Sequence, residues 1–468
     1  MLAPGAEGLG AAFGTSLAAT MASLGVSGAL GAVTRMPTGG AIGAPVLVLV
    51  GLGAEVSADT IRQAAGVAAR SVPNANDAAV ALPARTPDEV AAVCEGLLLG
   101  GYRFDRYKSA AEPAQVRFAV LSTDDAASAA RARAEVLADA VAQARDWVNT
   151  APADLTPPRF AEELLAAAAG APGISATSFD EHQLAELGCG AILAVGAGSS
   201  APCRLVELDY RPDGATTHLA LVGKGVTFDS GGYHLKSAAE MRTMKDDMAG
   251  AAAAAMAVVA IARLGLPIRV SAQLPLVENM ISGSAMRPGD VLTTYGGTTV
   301  EVTDPDCEGR LIMADALARA VETAPDLIVD IASLTGSIVT ALGDRITGVF
   351  GTDDVVGDLL EAARRAGEPG WAMPIPDIMT ERIHASTIAD LVHYDLVQWG
   401  GASLAAAFLR EFTGSLPWGH LDIGGTCTNT GADRGHLTAG GTGTGVATLV
   451  TLAEQLCSVA PTGGETAR

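Results

Sequence analysis

Apolar residues in this chain come in short runs broken by Gly and Pro, with few long amphipathic stripes. The run at 44–51, Ala-Pro-Val-Leu-Val-Leu-Val-Gly, predicts a buried strand. Helical spacing continues through Ala68 and again over 87–99, then a strand at 118–122 and a long Ala/Arg/Asp-rich helix over 124–148. The Pro-rich stretch 149–158 breaks the pattern and marks the best boundary, dividing the chain into 1–148 and 149–468. Beyond it, strands expected at 191–195, 204–210, 218–223, 269–276, 300–303 and 327–332 alternate with helices at 159–169, 249–264, 310–322 and 402–412. Such alternation predicts two α/β domains, the first with a largely parallel sheet and the second larger. Ligands of open α/β sheets bind beyond the carboxyl ends of strands.

Composition narrows the class. At 468 residues, 49% apolar and 18% charged, the chain has the make-up of a well-buried globular protein of two or three domains. A formal charge of −22 disfavours electrostatic binding to nucleic acid or to an anionic membrane. The six cysteines are scattered without paired or metal-finger spacing, as expected of reduced thiols in a cytoplasmic protein. The start is Ala/Gly-rich, with Arg35 its first basic residue, which makes a poor signal peptide. The apolar stretch 248–261 falls short of a membrane span and predicts a buried helix.

Three segments then change the picture. Lys224-Gly-Val-Thr-Phe-Asp229-Ser-Gly-Gly is succeeded by Lys245-Asp-Asp247-Met, and later by Asp306-Cys-Glu308-Gly-Arg310-Leu. They set carboxylates beside glycines, where oxygen ligands can approach hard or borderline dications. Asp306 and Glu308, two apart, share a face if the segment is extended, and Arg310 continues that face. Asp229, five residues after Lys224, would face the other way on a straight strand; a twist at Gly225 is expected to turn both inward. Asp246 and Asp247 precede a helix, where an isolated Asp is ordinarily an N-cap. Lys224 as a ligand would have to be a neutral amine, which two nearby dications favour; the alternative is an ion pair with Asp229. Cys307 has no histidine adjacent in sequence to act as its base, and reads as a small wall residue.

These segments resemble the signature of the leucyl aminopeptidase (cytosol aminopeptidase) family, strongly from about Asn149 onward and weakly before it. The resemblance implies a small N-terminal α/β, macro-like domain over 1–148, then a zinc-exopeptidase-like α/β catalytic domain over 149–468 with a mixed sheet flanked by helices. It implies two divalent ions per subunit, Zn or Mn and, more broadly, Mg or Co. Asp229 and Glu308 would bridge them, Asp306 would complete one site, and Lys224 and Asp247 the other, with Asp246 spare. Lys236 would polarise the scissile carbonyl and Arg310 would hold a bicarbonate that takes a proton from a metal-bridging hydroxide's parent water. The backbone of Leu334, Thr335 and Gly336 would bind substrate, and Met244 would line the pocket of the N-terminal side chain. Substrates would be peptides with a free N-terminus, Leu and other hydrophobic residues preferred. The assembly would be a homo-hexamer of paired trimers, cytoplasmic and without a membrane partner.

This chain departs from the resemblance in places. Its start, near the stretch 2–7, is expected to lack the family's first strand. Asp304-Pro305 and Cys307 replace the usual residues beside the leaving-residue pocket, and Asp304 is expected to add negative potential that favours Lys or Arg in second position. His234 stands where Ser is frequent and is expected to be a satisfied structural histidine. Two alternatives to a general aminopeptidase are a cysteinyl-glycine dipeptidase and a non-catalytic, structural or DNA-binding relative. The complete ligand set and the acidic charge disfavour the latter.

Overall fold

The computed structural model describes residues 6–13, 16–73, 75–109 and 116–458. The expectation about residues 2–5 at the start of the chain lies outside them. Contacts divide the chain into two compact units, 1–142 with 429–439, and 143–428 with 440–468. The boundary expected at 148/149 falls at the end of the long helix Ala127–Asn149.

In the first unit the expected strand is Val46–Val50, but it pairs antiparallel with Val33–Pro37. A separate parallel pair joins Asp77–Val80 to Arg117–Val120. Among the described residues this unit therefore has two two-stranded sheets, one antiparallel and one parallel, where a largely parallel sheet was expected. The helices Ala58–Arg70 and Pro87–Gly100 are capped by Ser57 and Thr86, whose side chains accept from Thr60 N and Glu89 N. They bury Ile61, Ala65, Val93 and Leu97 in one core, within which Arg62 and Glu95 pair at 2.8 Å. The distant segment 429–439 joins this unit, with Arg70 Nη2 donating to Gly435 O at 2.7 Å.

The second unit is built on a nine-stranded mixed sheet. Across it run Gly370–Ala372, Thr347–Gly351, Trp418–Asp422, Leu327–Ala332, His218–Gly223, Arg269–Asn279, Arg204–Tyr210 and Ile174–Phe179, with Gly225–Asp229 beside the far end of Arg269–Asn279. The four central strands, Trp418–Asp422 to Arg269–Asn279, are mutually parallel, and their neighbours on both sides are antiparallel. Buried on both faces, His218–Gly223 and Leu327–Ala332 are largely apolar and stand out in the sequence, whereas Trp418–Asp422, with buried His420 and Asp422, was not among the expected strands. The Ala-rich helix Ala249–Leu264 is buried along nearly its whole length against the sheet.

One expected strand is a helix. Residues 190–196, Gly-Ala-Ile-Leu-Ala-Val-Gly, form the helix Gly190–Gly196. A short apolar run carries no period to distinguish the two, and here the buried Asp315 carboxylate accepts from Ile192 N at 2.9 Å and fixes the first turn. The carboxyl ends of all four central parallel strands point the same way. They deliver Lys224, Asn279, Ser333 and Asp422 to one place.

Candidate metal centre

Lys224 leaves the sheet directly after His218–Gly223, and the short strand Gly225–Asp229 then pairs with Arg269–Asn279. The register of that pair slips between Val226 and Phe228. A one-residue slip reverses the facing of the residues beyond it, so a bulge at Thr227 lets Lys224 and Asp229 meet at one site. Asp306 and Glu308 are not on an extended segment as expected. A 3-10 turn, Pro305–Cys307, passes directly into the helix Glu308–Glu322, and the turn itself brings the two carboxylates together. Ligand atoms of Asp229, Asp306 and Glu308 lie within 4.8 Å of one another.

The cluster has a closed half and an open half. In the closed half Lys224 Nζ lies 2.8 Å from Asp247 and 2.9 Å from Glu308 Oε1, and donates to Ser333 O at 3.0 Å. The ion-pair partners of Lys224 are thus Asp247 and Glu308 instead of Asp229. Asp247 is no helix cap: it also accepts from Ser333 Oγ at 2.9 Å, and Met248 stands at the N-cap without a side-chain bond. Asp246 turns away and accepts from Thr428 Oγ1 at 2.7 Å. A Cβ on Gly309 would come within 2.5 Å of Lys224 Cε, so only glycine leaves room for this lysine.

In the open half Lys236 Nζ contacts Asp229 Oδ2 at 2.8 Å and Asp306 Oδ1 at 2.5 Å. The Asp306 side chain is 29% exposed and that of Lys236 15%, against 3% or less for Lys224 and Glu308. Gly231 shapes this half: its φ of +85° is a left-handed turn, and a Cβ there would meet His234 O at 2.3 Å. Asp229 Oδ1 accepts from Gly231 N and Asn279 Nδ2, both at 2.8 Å, and Asn279 also donates to Pro305 O at 3.0 Å. Sequence reasoning missed Asn279 and Ser333 as supports. Their only signal was position, each at or just past the carboxyl end of a central strand.

Burial raises Asp229 above the ordinary carboxylate range and Asp247 well above it, and it brings Asp306 up to about 7; neighbouring carboxylates add to the effect and the lysines oppose it. For Glu308 burial also pushes upward, but Lys224 and Lys236 outweigh it and hold this group low. Burial disfavours charge on both lysines, yet the surrounding carboxylates prevail and raise each above its ordinary value. By themselves, then, the carboxylates favour ammonium at Lys224. The neutral amine of the ligand reading requires the added positive charge of cations.

Do these residues fit divalent ions? Glu308 Oε2 is buried and accepts no hydrogen bond. Asp247 Oδ2 and Asp306 Oδ1 are buried too, with a lysine beside each as ion-pair partner but no hydrogen bond. Under-satisfied carboxylate oxygens are costly to bury, and four carboxylates against two ammonium groups leave an excess of acceptors. Oxygen-rich sites of this kind suit hard and borderline dications. The fit is good.

Arg310 does not join the cluster's ion pairs among the described residues. Its Nη1 donates to His393 O at 2.7 Å, its guanidinium lies 5.9 Å from the Tyr394 ring centre, and its buried Nε has no partner. Leu334 N and Thr335 Oγ1 both donate to Asp422, at 3.1 and 2.7 Å, and Gly336 opens the helix Gly336–Leu342. Met244 is half-buried in the turn Met244–Asp246, just before Asp247. Cys307 is a wall residue whose thiol burial pushes up to about 12, no nucleophile at neutral pH. Asp304 is buried; its Oδ1 accepts from Asp306 N at 2.9 Å and lies 2.7 Å from His234 Nδ1. His234, expected to be a satisfied structural histidine, has this partner for Nδ1, and its side chain is 66% exposed.

Residues 142–450 match the catalytic domain of the cytosol aminopeptidase family, and residues 1–111 match that family's N-terminal domain. The chain belongs to the cytosol aminopeptidase family. It is therefore a peptidase of a metal-dependent class, with the two-domain architecture that the resemblance implied. A protein described as "Probable cytosol aminopeptidase" from Streptomyces coelicolor is 46% identical over 97% of this chain and 92% of its own length. One so described from Micrococcus luteus is 44% identical over 96% and 92%. Among solved structures, the bottromycin maturation enzyme BotP in complex with Mn superposes with a TM-score of 0.87 at 38% identity, covering 94% of this chain and 96% of that one. A mutant tomato leucine aminopeptidase gives 0.86 at 31% identity, covering 96% and 88%.

Proposed function

We propose that this chain is a dinuclear metal aminopeptidase that releases the unblocked N-terminal residue of peptides, preferring Leu and other hydrophobic residues. The observation that carries the reading is the convergence of Asp229, Asp306 and Glu308 within 4.8 Å, with Asp247 and two lysines against them. Asp229 of the open half and Glu308 of the closed half, with ligand atoms within 4.8 Å of each other, would contact both ions; Asp306 would complete the open site, and Lys224 and Asp247 the closed one. Zn or Mn fits this donor set, as do Mg and Co; the manganese complex of BotP supports the choice of a hard ion. When bound, such a pair supplies Lewis acidity and an activated water.

The chain's own residues do the rest. Lys236, a lysine at the half-open edge, would hold the scissile carbonyl oxygen as negative charge grows on it. Arg310, with its unpartnered Nε, would hold bicarbonate, which would accept the water's proton. Met244 and the segment Leu334, Thr335 and Gly336 would receive the N-terminal residue, and Asp304 would border the space for the remainder. Relatives described as cytosol aminopeptidases support a cytoplasmic location. Exposed Trp371, Ile388, Leu396 and Trp399 suit burial between subunits, in keeping with a hexamer.

The test is to strip the purified protein with a chelator, then assay Leu-p-nitroanilide and its N-acetyl form after adding back Mn or Zn. Activity that returns with metal, on the free-amine substrate alone, is expected. Equal cleavage of the acetylated substrate would reject the exopeptidase reading.

A further inference from the structure

The aminopeptidase reading leaves one polar side chain beside the centre without a task, the imidazole of His234. It stands two residues before Lys236, in the loop whose Gly231 lies against Asp306: a Cβ on that glycine would come within 2.8 Å of Asp306 Oδ1. His234 Nδ1 is 2.7 Å from Asp304 Oδ1, and the same oxygen accepts from Asp306 N at 2.9 Å. A single oxygen thus ties the ring to the backbone that carries a metal-ligand candidate. The ring is held in place, yet its side chain is 66% exposed, while that of Asp304 is only 8% exposed.

An ionised carboxylate only accepts, so Nδ1 carries a proton and donates it to Asp304. Nε2 lies across the ring and has no partner among the described residues. The hydrogen bond and charge of Asp304 raise the ring's affinity for a second proton, and Asp306 adds to this; burial and Lys236 oppose it without prevailing. A second proton, on Nε2, makes the exposed edge of the ring a donor and a cation. The buried Asp304 is covered by it.

We infer that His234 is a specificity-determining residue on the leaving side, where its Nε2–H binds a carboxylate that the substrate carries just beyond the scissile bond. This rests on the proposed aminopeptidase reading, in which Met244 and residues 334–336 take the N-terminal residue and the Asp304 side is left to the remainder. The preference expected from Asp304 alone, for Lys or Arg in second position, is thereby reversed. Two sources offer the same chemistry: the free C-terminus of a dipeptide and the side chain of Asp or Glu in second position.

Two matched pairs separate them on the metal-loaded, full-length enzyme at pH 7. Leu-Glu-amide against Leu-Gln-amide reads the side chain, and Leu-Gly against Leu-Gly-amide reads the terminus. A solvent-exposed, charge-assisted contact predicts that kcat/KM favours the carboxylate member of at least one pair by about threefold to tenfold, mainly through KM. His234→Ala should bring that ratio to one or below, and His234→Lys should restore it. A ratio of one in both pairs for the unaltered enzyme, or a preference that persists in His234→Ala, overturns the inference while leaving the aminopeptidase reading in place. Failure to cleave any of the four peptides overturns both.

Discussion

The two halves of the carboxylate cluster use the same chemistry, a lysine between two carboxylates, in opposite surroundings. Around Lys224 everything is closed: Asp247, Glu308, Ser333 and the bare Cα of Gly309 leave the side chain 3% exposed. Around Lys236 the wall is a glycine turn, and Asp306 keeps nearly a third of its side chain open. The closed half is sealed by packed side chains, whereas the open half keeps an exposed edge. A rigid scaffold with its reactive edge on a loop is a common division of labour in enzymes.

The largest expected effect breaks the closed half. Glu308→Gln removes one of the two buried counter-charges of Lys224, leaving Asp247, and a proposed shared ligand, so it should cut activity by about a thousandfold or more and lower bound metal. Plasma emission analysis of the purified variant checks this; wild-type metal content with full activity would refute the shared role. In the open half, Lys236→Ala should lower kcat by about a hundredfold to a thousandfold with metal content retained, the signature of a group that acts on developing charge. A loss of metal in parallel would instead make Lys236 a structural counter-ion.

The supports should sort by half. Asn279→Ala, which frees Asp229, and Ser333→Ala, which frees Asp247, should each weaken metal affinity by about tenfold to a hundredfold. Asn279→Ala is expected to act on the more readily exchanged ion and Ser333→Ala on the more slowly exchanged one. Manganese titrations that show both variants altering the same binding phase would erase the distinction between halves.

The smallest effect concerns acid. His393, whose Nε2 donates to Asp304 O at 2.8 Å, is pushed down to about 4 by burial, with Arg310 adding to the effect. An unfolded histidine titrates near 6.5, so between these values the unfolded chain binds the extra proton. The stability from a neutral His393 is complete above pH 6.5 and is lost as pH falls to about 4, at a cost of about 3 kcal/mol. Urea unfolding of His393→Gln should show a shallower decline over that window. An unchanged slope would assign the acid sensitivity elsewhere.

Much of this arrangement is legible in the residues, for physical reasons. The strand His218–Gly223 reads as an apolar run with Lys224 directly after it, whereas the carboxylates and Lys236 were expected as a set from the family resemblance, not from the strand pattern. Their geometry was not legible. The bulge at Thr227 and the turn at 305–307 are single-residue irregularities that leave no mark on hydrophobic pattern, and the helix at 190–196 depends on Asp315, more than a hundred residues away. Segment 429–439 joins the first unit through contacts such as Arg70 with Gly435, which no local signal announces. The contact between His234 and Asp304 is likewise a tertiary fact, which charge counting along the sequence does not announce.

One titration tests the centre most directly. Metal-free protein is mixed with increasing manganese while bound metal and leucine release are monitored together. Activity should appear only as the second ion binds, at two equivalents per chain, and Asp229→Asn should abolish both. Full turnover by the stripped protein, or activity complete at one equivalent, would contradict a two-ion centre.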